Sequence, residues 1–242
     1  TDTRTSSSRS SKETKIRIKK GAAIRLAVLL ALACAPDLVS SEDRTEATVA
    51  RAVSSENQDR QVDQVALSTQ DIAISRLQTL LKKYTGTSQE PVFLSKLADI
   101  QQQKASIQFR IAHGTASRTH KALDLGAHHK TLRLSINALD RLIAKDHDLD
   151  EIPHAYFLRG RAYEDTDDKK KAGQDYLYLV QHFPNAEDSS QAYMALAEFA
   201  IEANDHARAI TYLKEVEKRP LDPHYPFALN KLAWSHYNLK AI

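Results

Sequence analysis

The chain is 242 residues long, with an ordinary apolar content of 42% and a formal charge of +3. That charge is confined to one end: residues 1–25 hold eight Lys/Arg against Asp2 and Glu13, whereas residues 42–242 hold 26 basic and 28 acidic side chains. A body of slightly negative charge excludes a general electrostatic pull on nucleic acid, and a single cysteine, Cys34, excludes internal disulfides and multi-thiolate metal centres.

From the N-terminus, "KIRIKKGAAIR" is a positive region and "LAVLLALACA" (Leu26 to Ala35) is an uncharged apolar run. The run is about half the ~20 residues needed to span a bilayer. Pro36 breaks it, and small residues follow at Val39, Ser40 and Ser41. This is the layout of a secretory signal peptide, so residues 1–41 read as an export leader cleaved near Ser41. A buried core helix suits the length but not the basic flank. Lipidation of Cys34 would want an aliphatic residue three positions earlier, where Ala31 stands, so the secretory reading is preferred. Membrane contact is expected only through the leader or a lipid on Cys34. The chain begins at Thr1 rather than Met, and residues are expected before it. Residues 42–64 are polar and lack aromatics, and read as a linker or a loosely ordered helix.

After Val65 the texture changes. Ile72, Ala73, Leu77, Leu80, Leu81 and Tyr84 recur at helical spacing, with Ser68 or Thr69 available as an N-cap and "TGT" at 85–87 as the break. "FLSKLADI" (Phe93 to Ile100) opens the next helix, which continues with Ala105, Phe109 and Ala112 on one stripe. Its partner is expected at Ser135 to Asp148, with an insertion at about 113–131 between them. No stretch alternates apolar and polar residues over a strand's length, and the few Gly and Pro fall between helical segments. The body is all-α.

The second half carries an internal repeat. Gly160 and Ala172 are twelve residues apart, as are Ala197 and Ala209. Gly160, Ala197 and Ala233 are separated by 37 and 36 residues. Large residues keep step: Tyr156, Tyr193 and Leu229 lie four before each small residue, and Tyr176 and Leu213 lie sixteen after the first two. Pro184 and Pro220 close the units. Small residues at the crossing of two antiparallel helices let their backbones approach, while large ones fill the gap to the next unit. The spacing is a packing code, which argues against catalytic roles for Tyr163 and Tyr176.

The order Tyr156, Gly160, Tyr163, Ala172, Tyr176, Leu179 and Pro184 resembles the tetratricopeptide repeat. The resemblance covers about 65–242, most closely from 153 onward. It implies a right-handed superhelical stack of antiparallel helix pairs, an α-solenoid. Some positions depart from the pattern: Arg159 stands where leucine is usual, Ala200 replaces a tyrosine, and Leu179 and Val216 replace alanine, which should widen the gap between units. The chain stops just after "LNKLAWSHYNL", the first helix of a unit, and is expected to continue beyond Ile242. The phrase from Tyr225 to Leu239 is most similar to large exported repeat proteins of gliding and predatory Gram-negative bacteria, which implies a periplasmic or envelope location.

Candidate chemistry is sparse. The spacing of His113, His120, His128 and His129 lacks the four-residue interval of a helical zinc pair. "EDTDDKKKAG" (Glu164 to Gly173) lacks the alternating oxygens of a calcium loop and reads as a solvated turn. No nucleophile elbow or phosphate loop is present. No cofactor, metal or catalytic set is expected. The resemblance implies instead a concave groove, lined by first helices, that binds a protein or peptide and no nucleic acid. Its register names Phe157, Arg161 and Glu164, then Met194, Glu198 and Ile201, then Asn230, Trp234 and Tyr237. Trp234 and Tyr237 are aromatic anchors of the kind enriched at binding hot spots; the plainer reading packs both against a helix beyond Ile242. The function implied is a non-catalytic interaction scaffold of the envelope, in a motility or envelope-assembly complex. The alternative is the docking region of a larger envelope enzyme whose catalytic domain lies beyond residue 242.

Overall fold

The computed structural model describes residues 41–145 and 149–240, with side-chain environments between 57 and 239. The leader, its apolar run and Cys34 lie outside the described residues. Eight helices and no strand occur among the described residues. They are α1 (Ser41–Lys83), α2 (Glu90–Thr119), α3 (Gly126–Ile143), α4 (Ile152–Glu164), α5 (Lys169–His182), α6 (Ser189–Glu202), α7 (His206–Glu217) and α8 (Tyr225–Lys240). The chain divides into two units, Thr1–Asp59 and Arg60–Ile242. In the first, only the beginning of α1 is described; the second holds the remaining helices.

Residues 42–64 lie within α1, where no Gly or Pro interrupts the chain from Ser41 to Lys83. Ser68 and Thr69 are therefore interior residues, not an N-cap. Their hydroxyls donate back to the Val65 carbonyl at 2.8 and 2.9 Å, the local bond such residues make when they do not begin a helix. The "TGT" break holds: α1 ends at Lys83, and Gly86 adopts a φ of 77°. Glu90 pins the turn, its Oε2 accepting from Gly86 N at 2.7 Å and Lys145 Nζ at 2.8 Å, and its Oε1 from Arg141 at 3.0 Å.

The segment expected as an insertion is built mostly of helix. α2 runs through Gly114 to Thr119, and α3 begins at Gly126, well before Ser135. The early turns of α3 pack along the end of α2. Leu132 is fully buried, and the His128 ring bonds the Ala105 carbonyl at 2.9 Å. Gly114 lies inside α2 without ending it, because a glycine in a helix costs only about 1 kcal/mol and this packing offsets it, whereas Gly126 is the first residue of α3.

From α2 to α8 each helix packs on the next in chain order, which is the arrangement of an α-solenoid. One apolar core runs the length of the stack, from Leu77 and Leu94 through Leu139, Ile152, Tyr176, Leu179 and Ala197 to Leu213, Val216 and Leu232. The turns inside two successive units are copies. Asp167 (φ 64°) and Asn204 (φ 59°) are left-handed. Each is followed by an aspartate that caps the second helix, Asp168 accepting from Lys171 N and Asp205 from Arg208 N. "EDTDDKKKAG" is therefore a helix stop followed by a helix start.

Arg159, at the position where leucine was usual, ties three helices together. Its guanidinium donates to both oxygens of the buried Asp175 on α5, at 2.8 and 2.7 Å, and to Asp140 on α3 at 2.8 Å. It also lies 5.3 Å from the centre of the Tyr156 ring.

Candidate functional site

The first helices α4, α6 and α8 enclose an open groove of about 510 Å³. Phe157, Arg161, Glu164 and Asp165 come from α4 and its C-cap; Gln191, Met194, Ala195 and Glu198 come from α6; His224, Phe227 and Lys231 come from the start and first turns of α8. Tyr176 of α5 reaches the groove from beneath.

Five of the nine expected groove residues line this cavity: Phe157, Arg161, Glu164, Met194 and Glu198. Ile201 lies one turn beyond Glu198, half-buried and outside it. Asn230, Trp234 and Tyr237 are exposed and do not line it; the two aromatic rings lie against each other with centroids 6.4 Å apart. On α8 the cavity is met by Phe227 and Lys231, which lie six and two residues before Ala233. The reason is geometric. α4 and α8 form opposite walls, so they turn opposite edges inward, and one register cannot describe both. Only α6, the floor, presents both edges.

The electrostatics of the groove are uneven. Lys231 Nζ sits 3.0 Å from Glu198 Oε1, and His224 Nδ1 lies 3.0 Å from Asp222. The Arg161 guanidinium lies 5.8 Å from the centre of the Phe157 ring, one turn back along α4. Glu164 Oε2 accepts from the Tyr176 hydroxyl at 2.9 Å. Burial raises the Glu164 carboxyl above its ordinary range, and the Tyr176 bond offsets only part of that. The same burial, and then the Glu164 charge, push the Tyr176 phenol up.

The residues expected to pack between helices fall as follows. Ala172, Ala197 and Ala209 are fully buried, and Gly160 is buried beneath Tyr176. Tyr156 stacks on Tyr178 at 4.1 Å, and burial pushes its phenol up to about 12. Tyr163 is half-buried, with Lys171 Nζ 5.1 Å from its ring centre. Tyr176 is 1% exposed. Pro184 is exposed, and its carbonyl accepts from Arg219. Ala233 is exposed: the equivalent Gly160 faces the second helix of its own unit, and no helix after α8 is among the described residues.

Among the described residues no group of three or more His, Cys, Asp or Glu is placed to hold a metal ion. Three of the four histidines of the α2–α3 region make ring contacts, His113 with Phe109 at 4.4 Å and His128 with His129 at 5.4 Å.

Stacked helix pairs with small residues at their crossings and an open groove along their first helices define an α-solenoid repeat protein. A family model for the tetratricopeptide repeat matches residues 153–177, which cover α4 and the start of α5. No curated protein matches the chain. The repeat supports a tetratricopeptide-repeat protein with a role in protein–protein interaction, on a fold that is typically non-catalytic.

Proposed function

We propose that the chain is a non-catalytic scaffold that holds a protein or peptide partner in the α4–α6–α8 groove. We place it in the Gram-negative cell envelope, within a motility or envelope-assembly complex, as in the exported proteins of gliding and predatory bacteria. One observation carries the binding role: an open groove of about 510 Å³ whose apolar side chains, Phe157, Met194 and Phe227, alternate with charged ones. Apolar anchors fixed among polar groups are how binding sites gain both affinity and orientation. The envelope setting rests on the basic flank, the short apolar run and the small residues that follow.

Phe227 is 65% exposed, so Phe227→Glu spares the core and changes only the groove. The tagged full chain and this variant are used as baits against envelope extracts, with circular dichroism confirming equal helicity. The wild type retains partners that the variant loses. Identical partner sets for the two baits overturn the groove reading. Fusing residues 1–45 to a reporter that is active only after export tests the location; an inactive reporter removes the envelope from the proposal.

A further inference from the structure

We infer that the groove selects a segment carrying a basic side chain, Lys or Arg, whose cation meets Glu164 while flanking apolar residues rest on Phe157, Met194 and Phe227. This rests on the groove being the binding site, and it goes further by fixing the charge of what enters.

The argument is charge complementarity along the groove. Lys231, the cation on the α8 wall, already faces a carboxylate, Glu198, and the His224 ring lies against Asp222. On the α4 wall the balance is reversed. Glu164 has one neutral donor, the Tyr176 hydroxyl on Oε2, and its Oε1 has no hydrogen-bond partner among the described residues. Asp165, the next residue, lines the same cavity and makes no ion pair among the described residues. Arg161 lies over Phe157, one turn towards the start of α4, and makes no ion pair with Glu164 among the described residues. Glu164 is also the last residue of α4 and Asp165 its C-cap, so the negative end of the helix dipole adds to both charges.

A carboxylate held this way is costly to desolvate alone, and a binding partner that covers it must bring a cation or strip its water without return. A lysine or arginine suits the rest of the site too. Its methylene stem lies against Phe157, Tyr176 and Met194 while its head reaches the acid. An acidic segment meets Glu164 and Asp165 unfavourably; of the nearby cations, Lys169 is bonded to Glu202 and Lys231 to Glu198, which leaves Arg161 as the main offset.

The test uses the full chain and three labelled peptide pools of about nine residues, mixed in Ala, Leu, Phe and Ser except at the centre. The centre is lysine, acetyl-lysine or glutamate. Anisotropy titration is expected to show the lysine pool binding about tenfold tighter than the other two, the scale of a charge pair in a partly desolvated site. The advantage shrinks as salt is added. It disappears in Glu164→Gln, which keeps an acceptor for Tyr176. Acetyl-lysine removes the charge from the peptide and leaves the protein untouched, so the conclusion survives even if that variant folds poorly. Pools that bind equally, or better with glutamate, yet lose binding in Phe227→Ser, which removes the apolar anchor without adding charge, overturn the basic-side-chain inference and leave the groove standing. Binding indifferent to Phe227→Ser overturns the groove itself. Failure of the lysine pool to bind overturns the inference.

Discussion

Gly160→Ala probes the packing code at its tightest point. A β-carbon on residue 160 would lie 2.6 Å from Tyr176 Cε1, 2.9 Å from Cδ1 and 3.1 Å from Cζ. The ring cannot easily swing away, because it is 1% exposed and its hydroxyl is bonded to Glu164. Overpacking of this kind costs about 2 kcal/mol. Replacing a helix-interior glycine by alanine returns about 1 kcal/mol. The net is a loss of about 1 kcal/mol, or a fall in Tm of about 3 °C for a chain of this size. Tyr176→Val removes the ring atoms that collide, and in that background only the helix-propensity gain remains. The same glycine substitution therefore changes sign, raising stability by about 1 kcal/mol, with a coupling energy of about 2 kcal/mol between the two sites. Urea denaturation of the four proteins, followed by circular dichroism at 222 nm, measures the cycle. Gly160→Ala having one sign and one size in both backgrounds would refute the claim that this glycine exists to admit Tyr176.

Two further outcomes follow from charged groups bonded within the fold. Arg159→Leu restores the residue usual in the repeat, yet it strands Asp175, whose side chain is 8% exposed. It should cost about 3 kcal/mol, and adding Asp175→Leu should recover most of that loss in the same urea assay; a stabilised single variant would contradict the ion-pair account. The remaining outcome is a pair of opposite pH dependences. The hydrogen bond from Lys145, then that from Gly86, hold the Glu90 carboxyl below its ordinary value of 4.5. Its stabilisation is complete above that value and fades as pH falls through the folded value. The bond to Asp188, 2.7 Å away, raises His154 above its ordinary 6.5, so its contribution is complete below 6.5 and fades as pH rises through the folded value. Melting temperatures from about pH 2 to 9 should therefore show an acid limb that Glu90→Gln flattens and a neutral-to-alkaline slope that His154→Gln flattens. Unchanged limbs in the variants would show that other groups carry them.

The repeat was legible in the sequence because backbone approach depends on one residue's size, and size is visible at each position. Gly160, Ala172, Ala197 and Ala209 therefore announced the helix pairs. The Arg159–Asp175–Asp140 cluster was not legible. It joins residues from three helices, and each alone reads as a surface charge. The α2–α3 region was obscured by Gly114, which looks like a helix end unless the packing of Leu132 and His128 is known, and by Gly126, which starts a helix rather than lying in a loop. The α8 wall was misplaced for a different reason: register follows from sequence, but which edge of a helix turns inward depends on where its neighbours lie. Phe227 and Lys231 could have been found by allowing each helix its own rotation about the groove.

The separation between what repeats and what does not has a functional consequence. At the position where first and second helices cross, successive units carry Gly160, Ala197 and Ala233, all small. Four residues later they carry Glu164, Ile201 and Tyr237, and one residue later Arg161, Glu198 and Trp234. Gly160 and Ala197 are buried against neighbouring helices, and a β-carbon on Gly160 would meet the Tyr176 ring; Ala233 keeps the same size although it is exposed. The second set lies off that crossing and differs in charge, shape and polarity from unit to unit while the stack is kept. An array of this kind holds its form with the residues that recur and selects its ligand with those that do not. The half-desolvated Glu164, beside the uncompensated Asp165, is the sharpest departure on the groove wall. It is there, rather than in the repeating core, that a change of one residue should alter which partner is held while leaving the fold intact.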